Sequence, residues 1–348
     1  MPSRLSPAAR LLGCAALAAG ARTAAAQTAP PAAPAAYHVV KRIAAGGEGG
    51  WDYLAVDTAA HRLYISRATH VMVVDTDRDS VVGDVGDTPG VHGIAFAPEL
   101  GRGYVSDGRD SSVTVFDLKT LAPVARVRGT GRNPDAILYE PATRRVFTFN
   151  GGSSTATAID AASDRIVGTV ALGGRPEFAQ ADGTGRVFVN LEDKSEVVAF
   201  DARTLAVRAR HPLAPCEEPN GMALDRAAMR LYIGCANKRM AVVDAGTGRV
   251  VTTVPAGDNI DATAFDPATH LAFASAGDGT LTVVDARTLA PATVETGPRG
   301  KTMALDARTH RVYVPVARYG PTPAATADTP RPRPPMVPGS FTVLVLER

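Results

Sequence analysis

Seven polar residues recur at one position of a repeated short segment: Asp52 in "WDYLAVD", His92 in "VHGIAFA", Asp135 in "NPDAILYE", Glu177 in "RPEFAQAD", Asn220 in "PNGMALD", Asp261 in "NIDATAFD" and Lys301 in "GKTMALD". Each stands five residues before the end of its segment, among neighbours that are mostly apolar. Gathered about one axis, four carboxylates, an imidazole, an amide and one ammonium would make a net-negative rim, suited to a divalent cation or a cationic ligand. Hard cations want the oxygens alone, while Asp52, Asp135, Glu177 and Asp261 together with His92 would suit Mn, Fe, Zn or Cu. An acid–base pair is also available in His92 with Asp52 or Asp135, because adjacent carboxylates raise a histidine's pKa and can tune it for proton transfer. Three readings stay open: a water-solvated ring, a site for a small molecule or protein partner, and a metal site. No local cluster such as His-Glu-x-x-His or Cys-x-x-Cys selects among them.

These residues can meet only if the chain repeats. Strands ending in Asp recur as "VMVVD", "VTVFD", "ATAID", "VVAFD", "MAVVD" and "LTVVD", closing at Asp75, Asp117, Asp160, Asp201, Asp244 and Asp285, at intervals of 42, 43, 41, 43 and 41. About ten residues before each lies a second family: "RLYIS", "RGYVS", "RVFTF", "RVFVN", "RLYIG", "LAFAS" and, in a seventh unit, "RVYVP". A period of roughly 40 to 45 residues with several strands per unit is the pattern of a β-propeller of four-stranded blades. Helical repeats would need a 3.6-residue period, which is absent. The expected fold is therefore all-β, with seven blades. The seventh unit ends at "FTVLVLER" without an outer strand, and "HVVKRIA" (residues 38–44) has no blade of its own. Pairing the two would close the ring and remove two sheet edges that invite aggregation.

At this level "RLYIS", "RVFVN" and their kin resemble the Tyr-Val-Thr-Asn repeat of bacterial YncE-like seven-bladed propellers, over roughly Tyr37 to Arg348. The resemblance implies the fold and a periplasmic or secreted setting, and names no reaction.

Residues 1–26 read as an export leader: Arg4 and Arg10 precede the apolar run "LLGCAALAAGA", and Ala24 and Ala26 offer a cleavage site before Gln27. The run is too short for a membrane anchor. Cys14 lies inside it, not at its end, which argues against lipid attachment. Residues 27–36 read as an Ala/Pro spacer, with the propeller following over 37–348. Cleavage would remove Arg4, Arg10 and Arg22 and no acid, so 37 basic residues become 34 against 35 acidic, a formal charge of −1. No cluster of Lys/Arg with interleaved aromatics gives a nucleic-acid signal.

The two cysteines left after cleavage are Cys216 and Cys235. The first lies in the loop that leads to Asn220, the second ends the following strand as it returns to the same face, and export favours a disulfide between them over a thiolate metal pair or two unpaired thiols. That bond would close a loop of about 20 residues and stabilise the fold by roughly 3 kcal/mol in the chain-entropy model, with Glu217 and Glu218 held beside the ring. The Asp residues ending the third strands read as turn-formers that bond their own backbone N–H groups. His61, His270 and His310, in hairpin turns, read as surface residues.

Blade seven carries a proline-rich insertion over about 318–339, including "PTPAATADTPRPRPPMVP", expected to emerge on the face of the ring. It reads as a tolerated insertion, as a docking segment, or as a lid in which Arg318, Tyr319, Arg331 and Arg333 supply contacts. No nucleophile elbow, phosphate-cradling loop or nucleotide fingerprint is present, so the sequence leans away from catalysis. The expected function is an exported, monomeric binding platform that engages a small molecule, a divalent metal ion or a protein partner at the channel mouth. Its alternatives are a metal-assisted lyase or hydrolase using the same ring, and a purely structural protein-interaction module.

Overall fold

The computed structural model describes residues 36–297, 299–326, 330 and 332–348. The expected leader, Cys14 and the expected spacer before Ala36 lie outside the described residues. Seven antiparallel sheets of four strands each form. Their innermost strands, Leu54–Asp57, Val91–Ala97, Pro134–Glu140, Pro176–Ala181, Pro219–Asp225, Ile260–Asp266 and Ala304–Asp306, each touch the innermost strands of both neighbours, and the first touches the seventh. The ring is thereby closed. Two short 3-10 turns, Pro98–Leu100 and Glu192–Lys194, interrupt the strands. No helix among the described residues is long and apolar enough to cross a membrane.

Strand composition explains why each blade needs its neighbours. In Arg186–Leu191 the side chains alternate across the sheet. Val187 and Val189 pack with Phe147, Phe149 and Phe200 on one side, while Phe188 packs with Met222, Leu231 and Ile233 of the next blade on the other. A period-2 pattern normally leaves one face polar. Here both faces are apolar and both are covered, so no blade buries its core alone.

Blade seven takes strands from both ends of the chain. Its order is Ala304–Asp306, Arg311–Val316, Thr342–Glu347 and, outermost, His38–Ala44, with partners running from His38↔Glu347 to Ala44↔Thr342. This is the closure expected from the unpaired first strand. Ile43, 4% exposed, carries it into the core, packing with Tyr313, Phe341 and Val343 of its own blade and Leu63, Ile65 and Met72 of blade one.

The turn aspartates do what their type suggests. Asp201 Oδ1 accepts the backbone N–H groups of Arg203 and Thr204, both at 2.9 Å, and these bonds with Arg208 hold its pKa down at about 2. Asp244 and Asp285 accept equivalent pairs. His61 and His310 stand half-exposed at the surface, bonded through Nδ1 to Asp77 and Asp266, and His270 is half-buried. Cys216 and Cys235 form a disulfide with Cα atoms 5.4 Å apart. Both are buried, whereas Glu217 and Glu218 are exposed and line neither the ring cavity nor the cleft described below.

Truncating the closing side chain tests this architecture. Ile43→Ala should lower unfolding free energy by about 2–4 kcal/mol, the usual cost of a buried isoleucine cut to alanine. Urea denaturation would measure it, and a loss below about 1 kcal/mol would mean that the first strand does not seal the ring.

Candidate functional site

The ring residues stand where the innermost strands break register. Shifts fall between Val91 and Ile94, Pro134 and Ile137, Pro176 and Ala179, Pro219 and Met222, and Ile260 and Ala262, bracketing His92, Asp135, Glu177, Asn220 and Asp261. A bulge frees a residue from the ladder and re-aims its side chain. In blades one and seven the innermost strands are shorter than expected, and Asp52 and Lys301 precede them.

Backbone freed in this way needs other partners, and the second strands supply them. The Ser106 hydroxyl donates to the Asp135 carbonyl and accepts the Gly93 N–H at 2.8 Å. Asn190 Nδ2 donates to the Asn220 carbonyl at 2.6 Å, and the Ser275 hydroxyl to the Lys301 carbonyl at 2.6 Å. The three bonds donated to carbonyls each cross from one blade to the ring position of the next, whereas the Gly93 bond stays within its blade. Asp52 is set differently. The buried Arg67 guanidinium donates to the carbonyls of Gly46, Glu48 and Gly49 at 3.0, 2.9 and 2.9 Å and lies 3.8 Å over the Phe341 ring. Gly49 has φ +83°, and a Cβ there would come within 2.9 Å of the Arg67 carbonyl, so this loop requires glycine. Burial lowers the Arg67 pKa to about 10, still far above neutrality.

All seven predicted residues come together at the channel mouth. His92 Nδ1 lies 2.6 Å from Asp52 Oδ2 and 3.8 Å from Asp135 Oδ1. Lys301 Nζ lies 3.0 Å from Asp261 Oδ1. Asp52, Glu177, Asn220 and Asp261 line one small cavity with Tyr53, Phe178 and Thr302. Of the five candidate metal ligands, three converge. One ligand atom each from Asp52, His92 and Asp135 lie within 4.8 Å of one another. Asp261 is engaged by Lys301, and Glu177 faces the cavity apart from the three.

Sequence comparison reaches part of this chain. The uncharacterised protein YncE of Salmonella typhimurium is 36% identical over 69 residues, which cover 19% of each chain. The match therefore spans about a fifth of that relative's length. No protein-family model matches the chain. Among solved structures, hydrazine synthase of Kuenenia stuttgartiensis superposes with a TM-score of 0.69 over 78% of this chain and 93% of that one, at 15% identity, a likeness of fold alone. The chain is a seven-bladed β-propeller, similar in sequence to YncE over the stretch that aligns.

In this YncE-like propeller the channel is not open throughout. The Tyr53 ring, from blade one, stacks on Phe178 of blade four at 5.5 Å, and its hydroxyl donates to the Glu177 carbonyl at 3.2 Å. The stack crosses between nearly opposite blades. It divides the polar ring from a funnel on the other side lined by Leu54, Val56, Phe265 and Met303. His92 is wedged as well: a Cβ on Gly108 would sit 2.7 Å from its Nε2, so a larger residue there would have to displace the imidazole.

Partial burial sets the charges. Desolvation raises Asp135 to about 6 against the pull of His92, with Asp52 adding to the rise. Desolvation, with the charges of Asp135, Glu192 and Asp261, pushes Glu177 up to about 9. Asp261 is also raised, by desolvation working against Lys301. Burial opposes a charge on His92, but the Asp52 hydrogen bond and the fields of Asp135, Asp52 and Asp107 outweigh it and raise its pKa. Asp107, buried behind the ring and bonded by the Thr114 hydroxyl at 2.6 Å, is raised to about 7 by desolvation. The rim thus holds more acid than it can ionise in isolation, and a bound cation would relieve it.

The proline-rich segment stands over the same face. Its legs pair at Tyr319↔Met336, with Gly320 N–H donating to the Pro335 carbonyl and Val337 N–H to the Arg318 carbonyl, each at 2.8 Å. Between it and the ring lies a cleft of about 570 Å³ lined by Trp51, Arg299, Lys301, Tyr319, Arg333 and Met336, among others. Of the four side chains expected in a lid, Tyr319 and Arg333 face this cleft. Arg318 lines a separate depression with Arg42 and Thr342, and Arg331 lies outside the described residues.

Sequence reasoning overlooked the bracing residues Ser106, Asn190 and Ser275, the plug Tyr53, the buried Arg67 and the acid Asp107. A signal existed for the first group: "RGYVS", "RVFVN" and "LAFAS" each place a polar residue at the fifth position of an otherwise buried strand. Such a residue must find a partner.

Two measurements probe the ring. Asp52→Asn should lower the His92 pKa read by NMR titration, because it removes a hydrogen bond and a charge that favour imidazolium. An unchanged value would place the proton elsewhere. Glu177 keeps its proton to about 9 when folded but releases it near 4.5 when unfolded, so folded chain binds the extra proton and stability falls as pH rises between them. Glu177→Gln should therefore gain thermal stability over the parent as pH increases through that window, by differential scanning calorimetry. A gap that does not widen would mean an ionised Glu177.

Proposed function

We propose that this protein is a binding platform whose channel mouth seats a divalent cation at Asp52, His92 and Asp135. One observation carries the reading: two carboxylates and an imidazole from three consecutive blades place ligand atoms within 4.8 Å of one another in a half-buried, net-acidic rim. A mixed oxygen–nitrogen set of this kind suits Mn²⁺ or Zn²⁺ better than Ca²⁺, which prefers oxygen alone. Three protein ligands also leave coordination positions open toward the cleft, so a second ligand can reach the ion. The Asp135 backbone braced by Ser106, the glycine at 108 and the Arg67-held loop before Asp52 support the geometry from behind. A propeller fold suits a binding role in general. The buried Cys216–Cys235 disulfide fits an exported protein, as does the YncE-like relationship.

Calorimetric titration of the purified protein with Mn²⁺, Zn²⁺ and Ca²⁺ tests this. One ion should bind per chain, and affinity should rise with pH from about 5 to about 7.5, since Asp135 and His92 must shed protons to ligate. His92→Gln with Asp135→Asn should weaken binding about 100-fold or more, while Asn220→Ala leaves it nearly unchanged. Saturable binding that survives the double substitution, or no binding of any of the three ions, rules the seat out.

A further inference from the structure

We infer that the cleft above the ring binds a small organic oxyanion, a carboxylate or a phosphate, carried on a flat apolar body. The proposal rests on the channel mouth being a ligand-binding face but needs no metal at the triad. Its first support is charge. The cleft is lined by Arg299, Lys301 and Arg333 and by no carboxylate among the described residues, although four acids stand in the ring below it. Lys301 is anchored by Asp261 at 3.0 Å and keeps 42% of its side chain exposed. Neither Arg299 nor Arg333 pairs with a carboxylate among the described residues, whereas Arg102, Arg126, Arg175, Arg186, Arg210 and Arg311 do. Unpaired guanidiniums around a concave surface present forked N–H donors that match a carboxylate or phosphate.

The second support is shape. Trp51 and Tyr319 stand with ring centroids 6.4 Å apart, and Met336 and Pro334 add apolar surface. Trp51 is fixed from behind by Phe341 at 5.1 Å, and the Arg299 guanidinium lies 4.4 Å over the Tyr319 ring. Aromatic walls held this way take a flat apolar group at little cost in ordering. A volume of about 570 Å³ falls within the range of small-molecule pockets. Of the polar side chains at the mouth, the basic ones face the cleft and the acidic ones lie beneath it. An oxyanion therefore sits among the guanidiniums, and any amine or metal-binding group on the same ligand points down to Asp52 and Asp135.

Trp51 is the only tryptophan in the sequence, so its emission reports on this cleft alone. Titration of the full chain with benzoate and with phenyl phosphate, against neutral benzamide and cationic benzylamine as controls, should give saturable changes with the two anions only. Calorimetry on the same samples covers a binding event that leaves emission unaltered. Whichever anion binds more tightly identifies the oxyanion. Arg299→Gln with Arg333→Gln, both at exposed positions, should weaken that anion about tenfold or more and leave Mn²⁺ binding at the triad intact. Equal response to benzamide, an unchanged affinity in the double variant, or neither heat nor emission change at about 10 mM anion overturns the proposal. Anion binding without any metal binding would remove the triad seat and leave the cleft standing, and the reverse result would do the opposite.

Discussion

The channel mouth depends on one kind of contact, a side chain from the second strand of one blade bonding the freed carbonyl of the next blade's ring residue. Bulges turn Asp135 and Asn220 toward the axis, but at the cost of carbonyls that no longer have ladder partners. A buried polar group left unpaired costs about 1–3 kcal/mol, so an unbraced bulge would tend to relax back into register and turn its side chain away. Ser106, Asn190 and Ser275, all fully buried, meet that requirement. The same bonds run between blades, so the side chains that brace Asp135, Asn220 and Lys301 also lock those three blades to the ones before them.

Around this frame the charges are sorted by depth. Acids dominate the rim, where partial burial raises Asp135, Glu177 and Asp261, while Asp52 and Asp135 raise His92 against the effect of its own burial. Basic groups stand above it, on the loops of blade seven and on the proline-rich segment. The Tyr53–Phe178 stack stands at the base of the rim, beneath two levels of opposite charge.

The blades, their number and their closure were legible because they follow from periodicity: six strands ending in Asp at near-constant intervals, and two unpaired strands at the chain ends. The ring was legible for the same reason, since equivalent positions of a repeat fall at equivalent places in space. What stayed hidden breaks the repeat. Arg67 occupies a position where other blades have no arginine, and its partners are backbone carbonyls some twenty residues earlier, which composition does not show. Tyr53 and Phe178 meet only because blades one and four face each other across the axis. The narrowing of five acid or imidazole candidates to three turned on side-chain direction, which Lys301 settles for Asp261 by pairing with it. Glu217 and Glu218 show the converse: adjacent in sequence to the ring, they point to solvent.

The strand His38–Ala44 precedes every blade in the chain, yet its partner Thr342–Glu347 lies in the last of the seven. Loop-closure entropy across some three hundred residues must be met before that pairing yields anything in return. The first strand therefore has no ladder partner until the seventh blade is in place. Without Thr342–Glu347 the ring would be an unsealed arc with two exposed sheet margins.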